Sequence, residues 1–177
     1  MQTPFKNIQI DIDSLPRQAD IHFSKLQGSY LMVSMISLAI FWALAFLLVF
    51  FGPDVFDIPL PDGILKYIYG ALIPISIFTF LLFYLGFHKK GYALRERDIM
   101  YKSGLIWKTM TTIPFSRIQH CEVKEGPIER LFGLSSLHIY TAGGSSSDVD
   151  IPGLYPQEGQ NIKRFVLNKI NTEDEEE

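Results

Sequence analysis

Four cations lie close together in the sequence, where they could bind an anion: Lys89, Lys90, Arg95 and Arg97. Phosphate recognition needs several cations that converge on one site, and arginine adds paired hydrogen bonds to phosphate oxygens. This spacing predicts a site for an anionic lipid headgroup. The alternative is that Lys89 and Lys90 simply flank an apolar segment and attract anionic lipids without specificity.

Residues typical of catalysis or metal binding show no such grouping. His120 and Cys121 are neighbours on a predicted strand, so their side chains face opposite ways and cannot form a nucleophile–base pair. The four histidines are dispersed, without the spacing of a zinc site, and a single cysteine excludes an internal disulfide. No P-loop, G-x-S-x-G or H-E-x-x-H motif occurs. We therefore expect no enzymatic activity, no metal and no cofactor.

Two long apolar segments must position these groups. Residues 30–51 and 67–87 contain no charged side chain. Crossing a hydrocarbon core of about 30 Å takes about 20 apolar residues at about 1.5 Å each, and both segments reach that length. The rest of the chain is too short to cover two such helices with soluble protein. We predict two membrane-spanning helices, at residues 30–51 and 67–87.

The charges that flank these helices predict their orientation. The connecting loop, residues 52–66, has three aspartates against one lysine, and its three prolines and two glycines are expected to end both helices. Lys25 precedes the first helix, whereas Lys89 and Lys90 follow the second. Lys and Arg favour the cytoplasmic side. We predict a multi-pass protein of the cell inner membrane, with both termini in the cytoplasm and the loop outside.

Residues 1–29 are predicted to be a cytoplasmic N-terminal segment. Pro16 interrupts any helix, and residues 21–26 could form a short amphipathic approach to the membrane. Two interpretations remain open. The segment is either an interfacial or partner-docking strip, or a loosely held terminus that leads into the first helix.

The chain after the second helix has the chemistry of a small β domain, residues 88–171, followed by a disordered acidic tail, residues 172–177. Alternating residues and turn signals predict six strands. They are 92–95, 99–102, 105–113, 117–123, 137–141 and 149–151, with Pro152 and Gly153 ending the last. Residues 157–170 place Ile162, Phe165, Val166 and Ile170 at helical spacing. This helix is expected to cover an open end of the sheet structure.

The β region resembles the bacterial pleckstrin-homology-like family, in its YdbS-like membrane-anchored form. The resemblance is carried by five blocks in the family's order: YALRERDIMYKSGLIWK (92–108), IPFSRIQHCEV (113–123), GPIERLFGL (126–134), IYTAGG (139–144) and DIPGL (150–154). It implies a two-helix transmembrane hairpin, then a small antiparallel β-barrel or sandwich with a C-terminal capping α-helix. A seventh strand is expected near residues 86–92 or in a segment without a clear pattern.

Three polar residues fall within these blocks: Arg117, Gln119 and Arg130. They could contact a ligand, or they could have a structural role, with Arg130 pairing to Glu122 or Glu129.

The resemblance implies a non-enzymatic membrane protein. We expect its cytoplasmic domain to assemble with membrane protein partners, through an exposed strand edge and the helix hairpin. The partner is expected to be a larger relative with the same domain or a second copy, and membrane lipids but no nucleic acid are expected as further contacts. The alternative is an anionic-lipid headgroup sensor at the inner leaflet.

Overall fold

The computed structural model describes residues 21–61, 63–144 and 148–174. Two long helices form an antiparallel hairpin, α1 (Ser29–Val55) and α2 (Ile64–Phe87). Both are long and apolar enough to cross a membrane, and the rest of the protein buries almost none of either helix. This exposure is typical of helices that face lipid and differs from that of a core helix in a soluble protein.

Both helices extend further into the connecting loop than predicted. Gly52 and Pro53 do not end α1, which continues to Val55. Pro53 removes one backbone donor, but it lies in the last turn, so the loss of this hydrogen bond affects only the end of the helix. The Phe56 amide still donates to the Gly52 carbonyl at 2.9 Å. The second helix begins directly after Gly63, whose positive φ of 78° turns the chain into it.

Polar and aromatic contacts join the two helices. The Trp42 indole Nε1 donates to the Thr79 hydroxyl at 3.0 Å, and this hydroxyl donates to the Ser76 carbonyl at 2.8 Å. Phe46 and Tyr69 stack with their ring centroids 6.0 Å apart. Such interhelical contacts hold apolar helices together where no hydrophobic driving force is available.

Two three-stranded antiparallel sheets follow the hairpin. The first has the order β1 (Gly91–Leu94), β2 (Asp98–Ser103), β3 (Thr109–Pro114), and the second has the order β4 (Ile118–Lys124), β5 (Ser135–Thr141), β6 (Val149–Leu154). A 3₁₀ turn (Phe115–Arg117) links the sheets, and a short helix α3 (Pro127–Leu131) separates β4 from β5. The C-terminal helix is α4 (Pro156–Asp174). The predicted fold class is confirmed, although the sheets do not close into a barrel.

The core lies between the sheets and under α4. The helix inserts Ile162 and Val166 into it, as their spacing predicts, and Phe165 packs edge-on against Phe115 with centroids 6.0 Å apart. The side chains with at most 1% exposure are Ile99, Phe115, Leu134, Ser135, Leu137, Ile139, Ile151, Leu154 and Val166. Since all but one of these are apolar, hydrophobic burial fixes how α4 covers the sheets.

The segment before α1 is an integral part of the β domain. Ser24 and Tyr92 exchange two backbone hydrogen bonds, at 2.8 and 3.0 Å, and the Gln27 amide donates to the Gly153 carbonyl at 3.0 Å. Leu26 is buried in the core, with 6% exposure. The segment thus covers the edge of β1 and reaches β6, so residues 21–28 are neither a free docking strip nor a loose terminus. Residues 1–20 lie outside the described residues.

This segment also supplies the extra strand pairing that the family resemblance implies. The pairing comes from the chain before α1, and not from residues 86–92, because Gly86 and Phe87 still belong to α2.

In the β domain, three predicted element bounds differ from the structure by three residues or more. The strand predicted at 105–113 begins at Thr109, because Gly104 has a φ of 97° and turns so tightly that an added Cβ would lie 1.8 Å from the Trp107 carbonyl oxygen. The last strand continues through Pro152 to Leu154, since proline is tolerated in an edge strand. The last helix extends to Asp174, and residues 175–177 of the predicted acidic tail lie outside the described residues.

Candidate functional site

The β domain packs against one end of the helix hairpin, where α1 begins and α2 ends. Gly153 in β6 has a φ of 67° and lies so close to Tyr30 that an added Cβ would be 2.6 Å from the Tyr30 Cβ. The Tyr30 ring also packs 6.4 Å from that of Phe87, and the Lys90 ammonium lies 5.4 Å from the Tyr30 centroid. Tyr30 therefore joins both helices to the second sheet and fixes the position of the domain on them.

Among the described residues, the outer edge of β3 has no pairing strand. This strand pairs with β2 on one side, and on its other side no backbone hydrogen bond from another described segment reaches Thr109–Ile113. Its sequence, TMTTIP, contains no charged residue. The edge of β1, by contrast, is covered at Ser24. The sheets thus leave one uncharged strand edge beside the hairpin, available for pairing.

The four cations of the predicted headgroup site flank β1, two before the strand and two after it. Lys89 is exposed, whereas Lys90 is partly covered and burial lowers its pKa. Arg95 lies beyond the other end of the strand, about 17 Å from Lys90 at about 3.3 Å per residue, and its Nε donates to Asp98 at 2.6 Å. Arg97 is exposed in the same hairpin turn. The structure therefore does not bring these four side chains to one point.

Arg117, Gln119 and Arg130 also lie apart. Arg117 is on the 3₁₀ turn before β4, and Arg130 is on α3 after the other end of that strand, so about 20 Å of strand separates them. Gln119 lies at the point where the β4–β5 register shifts, which identifies a bulge. All three side chains are exposed.

The ion pair expected for Arg130 does not form. Glu129 accepts hydrogen bonds from the Gly126 amide at 2.9 Å and the Ser136 hydroxyl at 2.8 Å, and Glu122 pairs with Lys124 at 2.7 Å. Consecutive residues on a helix do not face each other, so Arg130 cannot share the environment of Glu129.

His120 and Cys121 face opposite sides of β4, as the alternation of a strand requires. His120 is exposed and stacks on Tyr140 with centroids 4.2 Å apart. Cys121 is 3% exposed, and burial raises its pKa to about 11. This thiol stays protonated at neutral pH and is a poor nucleophile. Within the described ranges, no group of three or more His, Cys, Asp or Glu side chains is arranged to hold a metal ion.

The loop between β2 and β3 was not recognised from the sequence as a possible site. It exposes Ile106 and Trp107, and Lys102 and Lys108 flank its apolar tip. The sequence does contain a signal, the apolar triplet at residues 105–107 between Lys102 and Lys108. The alternation of side chains between two faces, however, assigned these residues to a longer strand.

Most of this chain matches a known protein family. A sequence model described as "Bacterial PH domain" matches residues 23–170, from the segment before α1 into α4. The chain belongs to the bacterial PH domain family. The helix hairpin lies within the matched range, between the Ser24 segment and β1, so the membrane helices and the sheets form one unit.

Two curated relatives of this bacterial PH domain protein come from Bacillus subtilis (strain 168). The UPF0699 transmembrane protein YdbT is 33% identical over 86 residues, which is 46% of this chain and 17% of YdbT. The UPF0699 transmembrane protein YdbS is 26% identical over 85 residues, which is 48% of this chain and 52% of YdbS. The matches thus span about half of YdbS and a smaller part of YdbT. No solved structure matches the chain. With two transmembrane relatives and two helices of spanning length, the protein is a membrane protein.

Proposed function

We propose that this protein is a non-enzymatic assembly component of the membrane, whose bacterial PH domain pairs with another membrane protein through the outer edge of β3. The open, uncharged edge of β3 carries the proposal. Proteins usually protect such an edge with a charge, a proline or a covering segment. Within the described residues, the segment before α1 covers β1 but no segment covers β3, and Pro114 protects only the end of that strand. Strand addition to such an edge is a recurring mode of recognition.

The partner is a second bacterial PH domain in the same membrane, either in a larger relative or in another copy of this chain. Tyr30 and Gly153 hold the domain against the hairpin, and the loop that leads into β3 lies beside α2, so β3 is near the end of the membrane helices. A partner that is itself anchored in the membrane meets this edge at a high effective concentration. The similarity to YdbT, a much longer transmembrane protein, supports a relative of that kind.

The proposed location is the inner membrane, with the β domain and both termini in the cytoplasm. The support is the charge of the flanks, with Lys25 before α1 and Lys89 after α2, against Asp54 and Asp57 at the opposite end of the hairpin. Labelling with a membrane-impermeant maleimide on intact cells tests it. Asp57→Cys should react from outside and Arg164→Cys only after lysis, while the reverse pattern would contradict the proposed orientation.

Site-specific photo-crosslinking in native membranes tests strand addition. A photoreactive residue at Thr112, which is exposed on β3, should give one discrete product that contains this chain and a second bacterial PH domain. The same residue at the exposed Tyr155, between β6 and α4, should not give it. Thr112→Lys should abolish co-purification of the partner, whereas Thr112→Val should retain it. A protein that stays alone in mild detergent after native expression would overturn the proposal.

Anionic-lipid sensing is the second candidate function. From His88 to Thr172, twelve Lys and Arg oppose eight Asp and Glu, a net charge of +4 that favours an anionic leaflet. The separation of Lys89 from Arg95 weakens the site first predicted. Lys89, however, lines a cleft with other cations, and this specific observation keeps lipid contact as a candidate.

A further inference from the structure

The loop between β2 and β3, residues 104–108, forms an apolar tip. The exposed fraction is 64% for Ile106 and 82% for Trp107, and the two side chains are adjacent. Single exposed apolar side chains are normal, but neighbouring large ones at the end of a tight turn usually mark a contact surface. Gly104 supplies the positive φ that brings the two ends of this turn together.

The start of this loop lies beside the last turns of α2. Leu105 lines the same crevice as Leu82, Phe83 and Gly86 of α2. Leu82 lies five residues before the end of α2 at Phe87, which is about 7.5 Å along the helix axis. A loop that reaches this depth beside a membrane-spanning helix is in the interfacial layer, where the amphipathic ring of tryptophan is favoured.

A cationic cleft lies directly behind the tip. It has a volume of about 540 Å³, within the range of small-molecule sites. Its lining side chains include Lys89 at the end of α2 and both lysines that flank the loop, Lys102 and Lys108, together with His88. The described residues that line it include no carboxylate. Lys102 is further held by the Phe23 ring, whose centroid lies 4.1 Å from its ammonium.

We propose that the tip inserts into the leaflet and that the cleft binds the phosphate of an anionic phospholipid through Lys89, Lys102 and Lys108. The chemistry required is a phosphate monoanion with a small polar headgroup, since three lysines line the same cleft as Ser103 and Thr109. The occupant is a lipid because the cleft opens beside α2 and an inserted loop, where lipid phosphates are always present. This inference rests on the lipid-contact candidate above and is independent of strand addition at β3.

Tryptophan fluorescence tests the insertion. The chain has two tryptophans, so in a Trp42→Phe background the emission comes from Trp107 alone. In nanodiscs, lipids brominated near the headgroup should quench Trp107 more strongly than lipids brominated near the chain ends. Emission that no brominated lipid quenches would place the tip in water and overturn the proposal.

Titration of the full chain in detergent tests the cleft. In the same background, Trp107 emission is followed while mixed micelles of phosphatidylglycerol or phosphatidylcholine are added. The triple variant Lys89→Ala, Lys102→Ala, Lys108→Ala should lose affinity for phosphatidylglycerol by about fivefold per lysine, with little change for phosphatidylcholine. The control Arg97→Ala, Arg117→Ala, Arg164→Ala removes three exposed cations elsewhere and should retain the parent affinity.

Three results would overturn the cleft assignment. They are an unchanged affinity of the lysine variant, an equal loss in the arginine control, and binding of free glycerol phosphate that matches binding of the lipid. Thr112→Lys adds a cation and removes none, so it should not weaken the lipid titration, and a failure here is distinguishable from a failure of strand addition.

Discussion

Gly153 of β6 lies under the Tyr30 side chain, where an added Cβ would come within 2.6 Å of the Tyr30 Cβ and 2.7 Å of its Cγ. The contact joins the first turn of a membrane helix to the second sheet. Because the Tyr30 Cβ and Cγ are close to the backbone and are not the flexible end of a long side chain, Tyr30 cannot move aside without shifting the helix or the strand.

Gly153→Ala should therefore loosen the domain from the hairpin. We expect a loss of about 1–3 kcal/mol from overpacking, beyond the cost of a non-glycine residue at positive φ. Gly133→Ala is the matched control, since Gly133 has a φ of 63° and open space around its Cα. Thermal unfolding of both variants in detergent measures the difference. Equal losses would show that the Tyr30 contact does not constrain the domain.

Leu26→Ala should destabilise the β domain although Leu26 precedes both membrane helices. Truncating a buried leucine costs about 2–5 kcal/mol, through lost burial and the cavity left behind. Lys25→Ala, its exposed neighbour, should change stability by less than about 0.5 kcal/mol. Limited proteolysis and thermal unfolding of the full chain compare the two. A Leu26→Ala variant as stable as the parent would mean that the segment is dispensable for the fold.

Trp42 and Thr79 should show measurable coupling across the hairpin. Their hydrogen bond of 3.0 Å lies between two membrane helices, where such bonds contribute about 0.6 and at most about 1.7 kcal/mol. Trp42→Phe, Thr79→Val and the double variant form a cycle that separates this bond from the bond of Thr79 to Ser76. Unfolding in mixed micelles of increasing sodium dodecyl sulfate measures it. Additive effects of the two single variants would rule out the bond as a stabilising contact.

Cys121 should make the fold sensitive to alkaline pH. Burial raises its pKa from 9.0 to about 11, so between these values the unfolded chain loses the thiol proton before the folded chain does. The neutral thiol therefore contributes to the free energy of unfolding. This contribution is fully present below pH 9 and is lost as pH rises through about 11, and it is at most about 2.7 kcal/mol. Urea unfolding from pH 8 to 11 measures it.

Cys121→Ala serves as the control for this pH dependence, since it removes the titrating group and should flatten that part of the profile. The native thiol should also react slowly with iodoacetamide at pH 8 and rapidly once the chain is unfolded. Rapid labelling of the folded protein would contradict the burial of Cys121.

Local patterns in the sequence determined the elements that depend on neighbouring residues. Two uninterrupted apolar segments of spanning length predict the hairpin, because a lipid environment requires each span to satisfy its own backbone. The turn between Arg95 and Asp98 predicts the first β-hairpin, and the spacing of Ile162 and Val166 predicts the inner face of α4. These predictions hold because turn geometry and helical periodicity are set within a few residues.

Tertiary structure decided which distant segments meet. Ser24 pairs with Tyr92 across the whole hairpin, and nothing in either sequence segment specifies the other. The predicted cations separate along β1, whereas Lys89 joins Lys102 and Lys108 through the fold of a loop that alternation had assigned to a strand. Side-chain convergence depends on strand order, register and the angle at which the domain meets the helices. These follow from the burial of the whole core, so a site made of distant residues has no signature in the sequence alone.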